Sequence, residues 1–162
     1  MDDIGFNVLS YLLIGLLGGI ASTAIMTLTE IPSWKRWGLH GVFEWHENQV
    51  ITIRLFKLSN DNKIYFKGIF FFHFLNGTLA GIAFPFIVAS FFTSLVSSTG
   101  SLLLLGMLYG FVLWIVTLLP IHKPITGFSP FNHPLGRMPA LASLGGHIVY
   151  GLVLGFMIFA FM

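Results

Sequence analysis

His147-Ile148-Val149-Tyr150-Gly151-Leu152-Val153-Leu154-Gly155 decides the fold. The stretch carries no charge, and its histidine and two glycines stand at i, i+4 and i+8, on one stripe of a helix. In lipid, such a small-residue stripe lets two helices approach closely, here with an imidazole at the seam. An echo lies upstream at His73-Phe74-Leu75-Asn76-Gly77-Thr78-Leu79-Ala80-Gly81.

The rest of the chain fits that setting. Of 162 residues, 56% are hydrophobic and only 9% charged, where a soluble domain carries about 25% charged residues. Four apolar runs follow, about 5–28, 68–92, 101–119 and 140–162, each long enough to cross a bilayer. Each has a Gly-x-x-x-Gly pair: Gly15 and Gly19, Gly77 and Gly81, Gly106 and Gly110, Gly151 and Gly155. The predicted fold is an all-α membrane protein, a single membrane domain over 1–162 built as a four-helix transmembrane bundle with a structured first cytoplasmic loop. The two histidine motifs share three identical positions. Two readings stay open, duplication of a helical hairpin and coincidence in a chain with 18 glycines.

Every Lys and Arg falls in one of two loops, 31–67 and 120–139. The positive-inside rule then puts these loops in the cytoplasm and both termini outside. The net charge of +2 reads as an orientation signal in the cell membrane, with lipids as partners and no nucleic acid. With no cysteine, disulfides, thiolate metal sites and cysteine nucleophiles are excluded. Met1-Asp2-Asp3 lacks the basic region of a cleavable signal, so the first span is expected to be retained.

Local signals refine the loops. Glu30-Ile31-Pro32 should end the first span, and Trp34-Lys35-Arg36-Trp37 reads as an interfacial anchor. Gly38 and Gly41 then break the helix. From Gln49 to Phe66 a short hairpin turning at Ser59-Asn60-Asp61-Asn62 competes with an interfacial helix. Pro85 should kink the second span by freeing the carbonyl of Gly81. Five prolines make 120–139 a stiff, extended loop, with His122 and His133 solvated or interfacial.

No residue inside the four expected spans is formally charged, which speaks against an ion-coupled transporter. The best candidate metal site joins His73 and His147 with Glu44, His46 or Glu47 folded over from the first loop. Histidine with carboxylate suits zinc, iron or copper, and a bis-histidine haem between the second and fourth spans is a related reading. The bland alternative leaves both imidazoles neutral, donating across the seam, with no cofactor. Asn76, Thr78, Tyr109 and Tyr150 would likewise bond between helices. Glu30 would serve as an interface group or partner Lys35 or Arg36. No nucleophile elbow, phosphate loop or dinucleotide fingerprint occurs.

Leu17-Gly18-Gly19-Ile20-Ala21-Ser22-Thr23-Ala24-Ile25-Met26-Thr27, with Gly146-His147-Ile148-Val149-Tyr150-Gly151, resembles small four-span prokaryotic membrane proteins of unassigned function. Gly41-Val42-Phe43-Glu44-Trp45-His46-Glu47-Asn48-Gln49 is similar to sequences of ammonia-oxidising archaea, where small helical subunits accompany the copper-dependent ammonia monooxygenase. The resemblance implies no catalytic residues here. Its expectation is a non-catalytic subunit packed among other membrane subunits. A histidine-based redox or metal protein and a small transporter are the alternatives.

Overall fold

The computed structural model describes residues 8–59, 63–92 and 98–161. Among these, four helices are long and apolar enough to cross a membrane: α1 (Val8–Trp37), α3 (Phe66–Phe91), α4 (Thr99–Thr117) with its extension to Thr126, and α6 (Met138–Phe161). The protein is an all-α bundle, with no strand among the described residues.

Glycine decides which helices pair. A Cβ on Gly15 would stand 2.6 Å from the Ile82 Cα and 2.8 Å from the Gly81 carbonyl oxygen. On Gly19 it would meet Gly77 and Thr78 backbone at 2.9 Å. Gly106 and Gly110 face Gly151 and the His147 carbonyl in the same way. Hence α1 zips to α3 and α4 to α6, while α1 also packs on α6 and joins the two hairpins. Backbone contact this close gains dispersion and excludes lipid, the main attractions available between apolar helices in a bilayer. The second and fourth spans are not drawn together by their glycine stripes, as the sequence suggested. Those stripes face other partners, and a cavity opens between α3 and α6.

The end of the bundle that carries the basic loops differs from expectation in three ways. First, α1 runs through Pro32 to Trp37. Proline costs one backbone hydrogen bond, but Trp34 packs edge-on against Phe66 and beside Trp45, holding the extra turns. Termination falls instead at Gly38, whose φ of 66° suits glycine and whose amide donates to the Trp34 carbonyl at 2.8 Å. Second, the segment weighed as hairpin or interfacial helix is helical only in its first part, where α2 (Phe43–Phe56) packs on the bundle and buries Phe43, Trp45, His46, Glu47, Asn48, Gln49 and Thr52; residues 57–59 and 63–65 are not helical. The Ser59–Asn62 turn proposed for the hairpin falls largely outside the described residues, as does the Met1-Asp2-Asp3 terminus. Third, α4 continues through a wide turn at Leu118–His122 into the short α5 (Lys123–Thr126). Pro120 has no amide to give to the ladder, and the widened turn accommodates it. The proline-rich loop is therefore helical as far as Thr126, then compact rather than extended, with glycine turns at Gly127 and Gly136.

The opposite end is closed by an apolar cluster in which Phe84, Val88, Leu102, Leu154 and Ile158 are all buried. α3 continues as a helix through Pro85.

Candidate functional site

α2 lowers a polar face onto the bundle. Glu44 and Glu47, one turn apart, and Asn48 line a cavity of about 100 Å³ together with His73, His147, Asn76, Thr117 and Tyr150. Four of the five metal candidates, Glu44, Glu47, His73 and His147, thus border one space. His46 does not: it projects from the other side of α2, its ring 4.3 Å from His40 and 6.1 Å from His122. An i, i+2 spacing on a helix forces such divergence.

Glu30 joins this polar interior. It is only 4% exposed, and its Oε2 accepts the Trp45 indole N–H at 2.7 Å, with His73 Nε2 at 3.5 Å. Lys35 and Arg36, proposed as its partners, lie on exposed turns of the same helix. The Glu44 carboxyl lies beside that of Glu30. It also accepts from Ser143 Oγ and sits 3.3 Å from His147 Nδ1. That nitrogen is 3.0 Å from the Ser143 carbonyl, so the imidazole can donate Nδ1–H there and present Nε2 toward Thr117, 3.5 Å away. Glu47 meets His122 Nδ1 at 2.8 Å.

His122 and His133, expected to be solvated, are instead 0% and 6% exposed. The helical extension past Pro120 carries His122 under α2, where its ring lies 4.1 Å from that of Phe43. His133 packs edge-on against Phe43 and Phe128. The two tyrosines bond across helices, Tyr150 donating to the Gly77 carbonyl at 2.6 Å and Tyr109 to that of Ala80 at 2.7 Å. Asn76 is exposed, although it lines the cavity.

Burial tunes the groups carried by α2 and the following loops. It pushes the Glu47 carboxyl up to about 9, helped by the neighbouring Glu44 charge. It pulls the His46 imidazole down to about 3, with His40, His122 and His133 adding repulsion. His133 is lowered for the same reasons, burial first, then His122 and His40. At neutral pH, Glu47 is therefore a carboxylic acid and His46 a neutral imidazole.

Several buried polar atoms make no hydrogen bond in this arrangement, Glu30 Oε1, Glu44 Oε2, His46 Nδ1 and His122 Nε2 among them, and His73 Nε2 has only its 3.5 Å approach to Glu30 Oε2. Each carries a desolvation cost of about 1–3 kcal/mol unless something fills the space. Yet among the described residues no three histidine or acidic groups converge in an arrangement that would hold a metal ion. The groups meet in carboxyl–imidazole pairs. A porphyrin does not fit a space of about 100 Å³.

No protein family, curated protein or solved structure matches the chain.

Proposed function

We propose that the protein is a small multi-pass transporter component that binds and passes protons through a buried carboxyl–imidazole relay. One observation carries this reading. Glu30, Glu44 and Glu47 are brought inside a span-length helical bundle, each within 3.5 Å of a histidine: His73, His147 and His122. Ionisable groups at such depth are costly and serve ion pathways by default. The sequence argument against transport assumed an uncharged interior, and Glu30 with the inserted α2 removes that premise.

The chemistry is a sequence of proton transfers between neighbouring carboxyl and imidazole groups. Glu47 as an acid can give its proton to His122 Nδ1, leaving a carboxylate beside an imidazolium. Return of the proton restores the neutral pair. Glu44 and Glu30, side by side, can share one proton between His147 and His73. Positive-inside placement puts the basic loops, and so the open end of the relay, in the cytoplasm. The apolar cluster around Phe84 and Leu154 closes the opposite end.

A second reading is favoured by Glu30 Oε1 and Glu44 Oε2, which make no hydrogen bond in this arrangement, beside the loosely paired His73 Nε2. A small rearrangement of these with His147 would offer oxygen and nitrogen donors to a divalent metal. The accessory-subunit reading, with an ammonia monooxygenase as the complex, draws on exposed aromatic faces such as Phe71 and Phe91. Lipid satisfies those faces equally, and a purely structural subunit has no need of buried acids.

The test is reconstitution into liposomes with a trapped pH dye under an imposed potential. Wild-type protein is expected to move protons, Glu44→Gln to stop it, and Glu44→Asp to retain part of it. Equal signals from Glu44→Gln and wild type would rule out the relay. Bound metal in stoichiometric amount would move the assignment to the second reading, and co-purification of stable partners from native membranes would favour the third.

A further inference from the structure

A second concavity of about 560 Å³ lies on the outer side of α2, lined by His40, His46, Gln49, Arg54 and Lys63 among others. Its chemistry is opposite to that of the inner cavity. It collects two formal cations and two imidazoles, and no acidic side chain lines it among the described residues. Glu47, next to His46 in sequence, is turned away and bonded to His122.

The cations are held in place. Arg54 donates one Nη2–H to the Ile125 carbonyl at 2.9 Å, which fixes the guanidinium and leaves further N–H donors of its fork free for another acceptor. Gln49 clamps the facing segment, donating to the Lys63 carbonyl at 2.7 Å and accepting from the Tyr65 amide at 2.9 Å. Lys63 is thereby anchored through its backbone, its ammonium 5.5 Å from the Tyr65 ring centroid. At the inner wall, His46 is 6% exposed, and its Nδ1 is buried without a partner.

We propose that this recess binds a phosphate-bearing anion, with Arg54 and Lys63 as its charge clamp and the His40 and His46 rings on its wall. Arg forks match phosphate oxygens in pairs and Lys supplies a point charge. The recess lies beside the start of α3, at the rim of the bundle, so the phosphate can come from a lipid headgroup or from a soluble phosphate ester. The inference is independent of the proton relay, since Arg54 and Lys63 touch none of its members.

Two probes separate the sources on full-length protein. Glycerol 3-phosphate is titrated calorimetrically in neutral detergent, and retention of phosphatidylglycerol is measured after assembly in mixed nanodiscs. Arg54→Gln and Lys63→Gln, both at exposed positions, are each expected to weaken binding by about tenfold. Lys35→Gln, on an exposed turn of α1 outside the recess, and Glu44→Gln are expected to leave it unchanged. Saturable binding of the ester, lost in the two variants, assigns a soluble ligand. Variant-sensitive retention of the lipid alone assigns a headgroup. Binding of neither probe, or binding that Lys35→Gln reduces as much as Arg54→Gln, overturns the proposal.

Discussion

Glu47 and His46 are adjacent, and burial favours the neutral form of each, which raises one pKa and lowers the other; each leaves a mark on stability. Glu47 titrates near 9 in the folded protein against 4.5 when unfolded. Above pH 4.5 the unfolded chain holds fewer protons at this site, so its contribution falls as pH rises toward 9. His46 titrates near 3 against 6.5, so its contribution is full above 6.5 and is lost as pH falls toward 3. The Glu47 part is isolated by comparing wild type with Glu47→Gln in thermal melts in detergent, where the wild type should lose stability relative to the variant as pH rises from 4.5 toward 9. Trp45→Phe should cost about 1–3 kcal/mol, because it removes the indole donor from Glu30 Oε2 in a buried setting; denaturation of the two proteins side by side measures it.

Helix α2 carries two of the three acids of the site, Glu44 and Glu47, and it was the hardest element to read. Its sequence mixes Glu44, His46, Glu47, Asn48 and Gln49 with aromatics, a composition that reads as surface until tertiary partners are known. Trp45 finds Glu30, and Gln49 finds Lys63 and Tyr65. None of these partners is local in sequence. His122 was missed for a related reason, since Pro120 signals a helix end and only the widened turn carries the helix past it. Glu30 was legible in principle. It continues the buried stripe of Gly15, Gly19, Thr23 and Met26 on α1, so helical periodicity alone points it inward.

The long helices were plain, because uninterrupted apolar runs leave few alternatives in lipid. Their pairing was not, because four similar glycine pairs can combine in several ways. The observed pairing makes a contrast available. Gly106→Ala would drive a Cβ into the Gly151 carbonyl, whereas at Gly145 a Cβ meets nothing within 4 Å. Gly106→Ala is expected to destabilise by about 1–3 kcal/mol. Gly145→Ala should be neutral or gain about 0.5–1 kcal/mol from helix propensity. Unfolding of both variants in mixed micelles decides whether close packing holds the bundle.

At the scale of the whole molecule, the features combine into a one-sided device. Apolar residues seal one end, while the other has the basic loops, the inserted helix and the ionisable pairs. The outer faces of the span-length helices, with Phe71, Leu104 and Phe156 exposed, suit lipid. The asymmetry implies that solvent protons reach Glu47 faster from the loop end than through the apolar end. With protein oriented uniformly in vesicles, acidifying the loop side should protonate the site quickly, and acidifying the other side slowly.

Whether the interior acids hold exchangeable protons is open to direct observation by infrared spectroscopy of the reconstituted protein. At pH 7 the spectrum is expected to contain a neutral carboxylic-acid carbonyl band that shifts on transfer to heavy water and shrinks in Glu47→Gln. A spectrum at that pH with no such band, or with one that Glu47→Gln leaves untouched, would contradict the relay at its centre.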